Sequence, residues 1–291
     1  MIRFLKLFIR LALWLFCSDI QIKNKHLLKQ EGPLLIIANH PNSFLDAIII
    51  GAQYKRRVYF LARGDAFTKK HHRFLLGLLN MIPVYRLREG KQFLHLNEFA
   101  FNESIKLLKK GEAVLIFIEG TCINSHELQP FKKGATRILE GAHKQGVLPN
   151  IQIAGIAYNN LRGIGKRVNI SLAQMNIKQP ILIAKDRVAF NKNAFELLNQ
   201  NIFPSTIQTR IKKNLFYYLH YLYYHWLTQK VAIKTKGTVF YDSVLFSLLL
   251  FTYPIFLLIL SCILYIIHIP LPIIFGTLLI ILIFSKRTIE E

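Results

Sequence analysis

The sequence predicts an α/β fold: a mostly buried mixed sheet flanked by helices, with an N-terminal amphipathic membrane helix and a C-terminal transmembrane hairpin. Three observations support this prediction. Strands that are apolar throughout alternate with helical patterns between about residues 18 and 184, which is typical of a sheet covered on both faces. An apolar segment punctuated by cations precedes this region, and a long segment without Asp, Glu, Lys or Arg lies between Asp242 and Lys286.

The first 16 residues are apolar, with Arg3, Lys6 and Arg10 at helical spacing on one face. The segment is short for a membrane span and lacks a signal-peptide cleavage pattern. We therefore predict a helix lying in the plane of the membrane over residues 1–17, with Trp14 in the headgroup layer. An ordinary helix of the domain is the alternative.

The composition favours a membrane-associated protein with an anionic partner. About half of the 291 residues are apolar (52%), and the formal net charge is +22. This charge favours lipid headgroups, phosphorylated substrates, acidic carrier proteins or nucleic acid. The three cysteines are far apart in the sequence and have neither disulfide nor metal-site spacing. We therefore expect no metal or redox cofactor, and a reducing, cytoplasm-facing compartment.

The α/β region resolves into alternating strands and helices. Its predicted strands cover residues 18–25, 34–38, 58–62, 82–85, 113–118, 151–158 and 167–174. Its predicted helices cover residues 43–50, 73–79, 93–110 and 134–143. We expect the helix over residues 43–50 to end at Gly51.

The turn between the strand 34–38 and the helix at 43 concentrates polar side chains where ligands bind in open α/β sheets. His40 can take a proton near neutral pH, and Asp46 could fix its tautomer and stabilise the imidazolium. A substrate hydroxyl would then serve as the nucleophile. The alternative is structural, because Ser43 and Asp46 also have the spacing of a helix capping box.

Four blocks in order resemble the signatures of the glycerolipid acyltransferase superfamily, of the 1-acylglycerol-3-phosphate acyltransferase type (PlsC-like). The first block is Asn39 and His40 followed by Asp46. The others are 82–86 (IPVYR), 117–121 (FIEGT) followed by 128–134, and the apolar strand 151–158. The resemblance covers about residues 20–158. It implies that His40 is the general base of acyl transfer and that Asp46 orients it.

The resemblance also implies an acceptor site. Arg86 of the second block would bind the acceptor phosphate, as arginine can do with two hydrogen bonds. Lys132 and Lys133 precede a predicted helix start, where backbone donors favour anions; a solvated loop is the alternative for these two lysines. Glu119 would bind an acceptor hydroxyl or anchor Arg86, within a turn completed by Gly120 and Thr121; a structural carboxylate of the strand-end turn is the alternative for Glu119.

The chain departs from the family pattern in the first, third and fourth blocks. The fourth block lacks its usual proline within the strand, although Pro149 lies just before it. Five residues, rather than the usual four, separate His40 from Asp46. In the third block, Ile118 and Cys122 stand where the family usually has proline and arginine. Because Cys122 carries no positive charge, the hydroxyl of an acylated amino acid, giving an aminolipid, is the alternative acceptor. Backbone donors near Gly120 or at the helix start near Ser43 would stabilise the oxyanion.

The C-terminal region is basic and aromatic, then strongly apolar. The aromatic run 216–226 fits a membrane-interface belt, with stacking on nucleic-acid bases as the alternative. Residues 243–267 are long enough to span a bilayer, which takes about 20 apolar residues. Residues 273–285 are shorter, so the segment forms either a transmembrane hairpin or one span and a re-entrant segment. Cations on both flanks favour a hairpin with both ends in the cytoplasm.

The predicted domains are therefore a membrane-interface helix (1–17), an acyltransferase domain (18–236) and a membrane hairpin (237–291). We expect a membrane-bound O-acyltransferase of phospholipid biosynthesis, with acyl-CoA or acyl carrier protein as co-substrate and a lysophospholipid-like acceptor. Its partner surface is an anionic lipid membrane, without nucleic acid. Its location is the cytoplasmic (inner) membrane, with the catalytic domain facing the cytoplasm. A non-catalytic lipid-binding protein and a membrane-tethered nucleic-acid binder are the remaining alternatives.

Overall fold

A seven-stranded mixed sheet forms the centre of the protein in the computed structural model, which describes residues 2–85, 95–177, 179–204, 210–211, 215–286 and 289–290. The strands are β1 (Cys17–Lys23), β2 (Leu34–Ala38), β3 (Val58–Arg63), β4 (Met81–Val84), β5 (Ala113–Phe117), β6 (Asn150–Tyr158) and β7 (Lys166–Met175). Their order across the sheet is β1-β7-β6-β2-β5-β3-β4. Neighbouring strands are parallel except β6 and β7, which are antiparallel.

Nine α-helices surround or extend from this sheet in the described part of the chain. They are α1 (Ile2–Phe16), α2 (Phe44–Gln53), α3 (Lys70–Leu78), α4 (Leu96–Lys109), α5 (Gly134–Lys144), α6 (Ala184–Asn199), α7 (Leu215–Lys234), α8 (Tyr241–Ile266) and α9 (Leu271–Lys286). A short antiparallel pair joins β8 (Arg210–Ile211) to β9 (Ile289–Glu290). The predicted α/β fold with a mixed sheet flanked by helices is confirmed.

Both faces of the sheet are covered, as the apolar strands predicted. Along β2, Leu34, Ile36 and Ala38 face one core cluster, while Leu35 and Ile37 face the other. The first cluster is completed by α1, α2, α7 and the start of α8, and the second by α4, α5 and α6. Since successive strand side chains point to opposite faces, β2 lies at the centre of both cores. The turn after β2 is consequently held from both sides.

The structure adds to the predicted helices at α2 and α6. Helix α2 does not end at Gly51 but continues to Gln53. The ring of Phe60 packs directly against Gly51, where an added Cβ would lie 2.4 Å from Phe60 Cζ. That glycine therefore makes room for an aromatic ring rather than ending the helix. Helix α6 was not among the predicted helices, and it packs on β6 and β7.

Two cations of helix α1 bind backbone carbonyl groups at the end of α2. Lys6 Nζ donates to the carbonyl oxygens of Tyr54 (2.9 Å) and Arg56 (2.6 Å), just beyond α2, and Arg10 Nε donates to Ala52 O (2.7 Å). Burial, and secondarily the charge of Arg10, lowers the pKa of Lys6 to about 8. The cations thus bind the carbonyl groups at the C-terminal end of α2, where a positive charge is favourable.

The outward face of α1 is apolar. Leu7, Leu11 and Trp14 follow one another at helical spacing, and they are 66%, 50% and 38% exposed. A stripe of large apolar side chains facing outward is typical of a helix that contacts a lipid surface or a partner. The prediction of an in-plane membrane helix stays a prediction.

Helix α8 has 26 residues and is the one helix of the described ranges that is both long and apolar enough to cross a membrane. Its first turn is buried against the sheet domain, with Asp242, Ser243, Leu245 and Phe246 inaccessible. Most of its remaining length is partly or fully exposed. Helix α8 contacts α7 and the shorter apolar helix α9. The transmembrane hairpin remains a prediction.

Candidate active site

The turn after β2 brings His40 and Asp46 together. His40 Nδ1 lies 3.0 Å from Asp46 Oδ2, with the imidazole 18% exposed and the carboxylate 0% exposed. Between them the chain passes through Ser43 at φ +53°, a conformation that is uncommon for a residue with a Cβ. This turn accommodates the additional residue between His40 and Asp46. An aspartate bound to one imidazole nitrogen can leave the other nitrogen available for a proton.

Asp46 has two further hydrogen-bond donors. Tyr158 donates its hydroxyl to Asp46 Oδ1 (2.5 Å), and the backbone N–H of Asn42 donates to Asp46 Oδ2 (2.7 Å). Burial, together with the charge of Asp46, raises the pKa of Tyr158 well above its usual value. The phenol therefore keeps its proton and remains a donor. Tyr158 was missed from the sequence, although it ends the strand of the fourth family block.

The capping-box interpretation is met only in part. Asp46 accepts a backbone N–H from the residue before the N-cap of α2, but the side chain of Ser43 makes no capping hydrogen bond. The N–H of Leu45, in the first turn of α2, instead donates to Ser243 Oγ (3.1 Å). Asp46 therefore contacts the imidazole as well as the backbone.

The position of His40 is fixed by its neighbours. Its ring stacks on Phe117 at the end of β5, with the ring centres 3.8 Å apart and the planes at 13°. Its backbone N–H donates to Glu119 Oε1 (3.3 Å). The side chain of Asn39 makes two hydrogen bonds with the backbone of Ile156 in β6 (2.9 and 2.8 Å). The segment that follows β2 is thus tied to β6 through Asn39, and the imidazole lies against the end of β5.

Glu119 lies beside His40 and is only 3% exposed. Burial raises its pKa to about 7, while the hydrogen bond from His40 N–H opposes the rise and the charge of Asp46 adds to it. A carboxyl with such a pKa is present in both protonation states at neutral pH. Glu119 can therefore either donate or accept a hydrogen bond at the edge of the site.

Both backbone groups named from the sequence as oxyanion donors already have partners. The N–H of Ser43 donates to Cys122 Sγ (3.0 Å), and the N–H of Gly120 donates to Phe117 O (3.0 Å). Burial and the charge of Asp46 raise the pKa of Cys122 to about 12. Cys122 is thus a neutral thiol that holds the turn, where the family usually has a cation.

The predicted acceptor-binding residues are only partly assembled. Lys132 lies over Gly120, which has φ +61°, and a Cβ added at that glycine would lie 2.7 Å from Lys132 Cγ. Lys133 is exposed at the N-cap of α5. Thr121 is partly buried in the turn after Glu119. Arg86, the main candidate for phosphate binding, lies outside the described residues.

Two residues near the turn were not singled out from the sequence. Arg63 ends β3 and pairs with Asp65, and its charge slightly opposes the rise in the pKa of Cys122 that burial causes. His126 Nε2 accepts the backbone N–H of Tyr158 (3.0 Å), and burial lowers the pKa of this histidine. Neither has a local motif that would reveal it. In the described part of the chain, no group of three or more His, Cys, Asp or Glu residues could hold a metal ion.

Comparisons with known proteins match the part of the chain that contains this site. Residues 19–158 match the model of the Acyltransferase family. A chloroplastic 1-acyl-sn-glycerol-3-phosphate acyltransferase (BAT2) of Brassica napus is 30% identical over 126 residues, covering 42% of this chain and 33% of the relative. A 1-acyl-sn-glycerol-3-phosphate acyltransferase of Bacillus subtilis is 27% identical over 124 residues, covering 42% and 57%.

A relative with a different acceptor in its name is also similar. The lyso-ornithine lipid O-acyltransferase of Brucella abortus is 26% identical over 137 residues, covering 46% of this chain and 48% of the relative. The chain thus matches between about a third and somewhat more than half of the length of these relatives. The crystal structure of PlsC from Thermotoga maritima gives a TM-score of 0.44 at 19% identity, over 65% of this chain and 72% of that chain.

Proposed function

We propose that this chain, which matches the Acyltransferase family model over residues 19–158, is a membrane-bound O-acyltransferase of the glycerolipid acyltransferase type. It transfers a fatty acyl group from acyl-CoA or acyl carrier protein to a hydroxyl of a lysophospholipid-like acceptor. The observation that carries this proposal is the contact of His40 Nδ1 with the buried carboxylate of Asp46.

The chemistry follows from that contact. With Nδ1 bound to Asp46, His40 uses Nε2 to take the proton of the acceptor hydroxyl as its oxygen attacks the thioester carbonyl carbon. The tetrahedral intermediate then collapses, the carbon–sulfur bond breaks, and the departing thiolate takes the proton back from His40. Asp46, held by Tyr158 and the Asn42 N–H, stabilises the transient imidazolium. The reaction needs no protein nucleophile.

Acceptor recognition has two candidate forms. Arg86, with Lys132 and Lys133, would bind a phosphorylated headgroup, which is the main proposal. The neutral Cys122 thiol beside Ser43 favours the second form, a lyso-aminolipid acceptor, and the Brucella abortus relative carries lyso-ornithine lipid in its name. Glu119, in either protonation state, would hydrogen-bond the acceptor near its reacting hydroxyl.

The attachment to the membrane rests on two apolar surfaces. The outward stripe Leu7, Leu11 and Trp14 of α1 would lie in the lipid surface, as amphipathic helices do. Helix α8 would cross the bilayer from its buried first turn outward, with α9 completing a hairpin. The net charge of +22 favours an anionic membrane. In this arrangement the sheet domain faces the cytoplasm at the inner membrane.

Lipid mass spectrometry tests the proposed function. The full-length chain, purified in detergent and returned to vesicles of phosphatidylethanolamine and phosphatidylglycerol, is given labelled palmitoyl-CoA or palmitoyl acyl carrier protein. The acceptor panel contains lysophosphatidate, glycerol 3-phosphate and lyso-ornithine lipid.

Lipid products and separate binding measurements distinguish four outcomes. Labelled phosphatidate or lysophosphatidate supports the main proposal, whereas labelled ornithine lipid alone supports the aminolipid alternative. Binding of acceptor without any acyl product, from either donor, contradicts acyltransferase activity and leaves a lipid-binding protein. Retention on oligonucleotides but not on anionic vesicles would indicate the nucleic-acid alternative.

A further inference from the structure

A buried ion pair lies directly behind the catalytic turn. Lys166, the first residue of β7, donates from Nζ to Asp242 Oδ2 in the first turn of α8, and both side chains are 0% exposed. Asp242 Oδ1 accepts the backbone N–H of Gly163 (2.7 Å). Removing two charges from water is costly, and such pairs are often replaceable by apolar residues without loss of stability. Stability alone is therefore a weak reason for this pair.

Asn42 connects the ion pair to the turn. Its side-chain Nδ2 donates to Asp242 Oδ2 (2.8 Å) and to the carbonyl oxygen of Leu161 (3.2 Å). The residue is fully buried, and among the described residues its Oδ1 has no hydrogen-bond partner. A buried acceptor without a partner is also costly. Among the described residues, the hydrogen bonds of the Asn42 side chain are thus the two that Nδ2 donates.

The backbone of Asn42 links the ion pair to the carboxylate that contacts His40. Its N–H donates to Asp46 Oδ2, the same oxygen that lies 3.0 Å from His40 Nδ1. On the other side, Lys166 Nζ lies 5.2 Å from the centre of the Tyr158 ring, and Tyr158 donates to Asp46 Oδ1. Both residues that donate to Asp46 besides His40 are therefore also neighbours of the ion pair, Asn42 through its side-chain amide and Tyr158 through its ring.

The position of Asp242 in its helix does not account for these contacts. An acidic residue in the first turn of a helix is favoured by the helix dipole, but an exposed carboxylate would satisfy that preference without a buried lysine. The next residue makes a second contact with the same turn, because Ser243 Oγ accepts the N–H of Leu45. Two successive residues of α8 therefore hold the loop that carries His40 and Asp46.

We propose that Asp242 is a positioning residue, which acts through Asn42 to hold the Asp46 carboxylate against His40. This inference deepens the proposed function and rests on it. The first turn of α8, the helix proposed to cross the membrane, is hydrogen-bonded to the turn that carries His40 and Asp46. The way this helix packs on the sheet domain therefore determines the geometry of the general base.

The test is a set of double-mutant cycles in the acyl-transfer assay with the full-length chain. Asn42→Ala and Asp242→Asn are each measured alone and combined with Asp46→Asn, with kcat and KM for palmitoyl-CoA determined separately. Asn42→Ala leaves the Lys166–Asp242 pair and its Gly163 donor in place, so it keeps the test decisive if Asp242→Asn does not fold. Asp19→Asn is the matched control, since this partly exposed aspartate faces Arg167 at 3.9 Å, away from the turn.

We expect each variant to lower kcat about tenfold while KM changes less than twofold, and Asp19→Asn to have no effect. In the Asp46→Asn background the same changes should alter kcat less than twofold, because residues that act through one another are not additive. An undiminished effect in that background, or an unchanged kcat for Asn42→Ala, overturns the inference. An inactive wild-type chain overturns the proposed function and this inference together, whereas an active wild-type chain with unaffected variants overturns this inference alone.

Discussion

Glu119 gives the chain a specific dependence of stability on pH. Its pKa is raised from 4.5 to about 7, chiefly because the carboxyl is buried. A carboxyl whose pKa is higher in the folded than in the unfolded state binds its proton more tightly when folded. The free energy of unfolding therefore decreases as pH rises from about 4.5 to about 7.

The size of the effect follows from the shift. At about 1.4 kcal/mol per pKa unit, ionisation of Glu119 in the folded state costs on the order of 3 kcal/mol at pH 8. The Glu119→Gln variant has no charge to bury, and its amide oxygen can still accept the His40 N–H. We expect this variant to have a higher free energy of unfolding than the wild type at pH 8 by about 2–3 kcal/mol, and to be similar to it at pH 5.

The assay is urea unfolding in detergent at pH 5 and pH 8, followed by circular dichroism. Glu140→Gln is the matched control, because the hydrogen bond from Lys144 lowers the pKa of Glu140. Glu140 therefore contributes stability that is present above pH 4.5 and lost only below it, so its variant should differ equally from the wild type at both pH values. If the difference between Glu119→Gln and the wild type is also the same at pH 5 and pH 8, the account of Glu119 is refuted.

Two other substitutions test the site and the membrane surface. Tyr158→Phe removes a donor from the buried Asp46 carboxylate, for which we expect a loss of about 1–3 kcal/mol of stability and about tenfold in kcat. The control is Tyr54→Phe, because the hydroxyl of the buried Tyr54 bonds to Gln152; this variant should lose stability but not kcat. Equal kcat in both variants would contradict a role for Tyr158. Leu7→Glu combined with Leu11→Glu should reduce binding to anionic vesicles at least tenfold in a flotation assay, because both exposed side chains would enter lipid. The equally exposed Leu148→Glu is its control, and unchanged binding of the double variant would exclude α1 as the contact.

The sheet and the contact of His40 with Asp46 in the turn after β2 could be predicted because their signals are local. An apolar run such as Leu34–Ala38 gives a buried strand wherever it is placed, and the polar turn after it must lie at the edge of the sheet. His40 and Asp46 are separated by so few residues that a single turn brings them together. All seven strands of the sheet consequently fall close to their predicted positions.

The partners of the turn could not be predicted because they come from distant parts of the chain. Tyr158 reaches Asp46 only because β6 lies next to β2 and extends beyond it. Asn42 and Asp242 are 200 residues apart, and no periodicity connects them. Pairings of this kind depend on strand order and on where a helix begins, neither of which a single sequence specifies.

The orientation of α1 illustrates a different limit. Its pattern of cations and apolar residues predicted an amphipathic helix, but a pattern does not say which face meets the protein. The free carbonyl groups at the end of α2 bind Lys6 and Arg10, which turns Leu7 and Leu11 outward. The prediction of an in-plane membrane helix with Trp14 in the headgroup layer stays a prediction, and the apolar stripe is the face that such a helix would place in lipid.

The central claim is that His40 is the general base of acyl transfer. The most direct test is release of free thiol from palmitoyl-CoA by purified protein in vesicles supplied with the preferred acceptor, measured for the wild type, His40→Ala and the exposed His26→Ala. We expect His40→Ala to lose at least 100-fold in kcat, the usual range for removal of a general base, with its fold retained and His26→Ala fully active. Acceptor-dependent thiol release by His40→Ala at the wild-type rate would contradict the account.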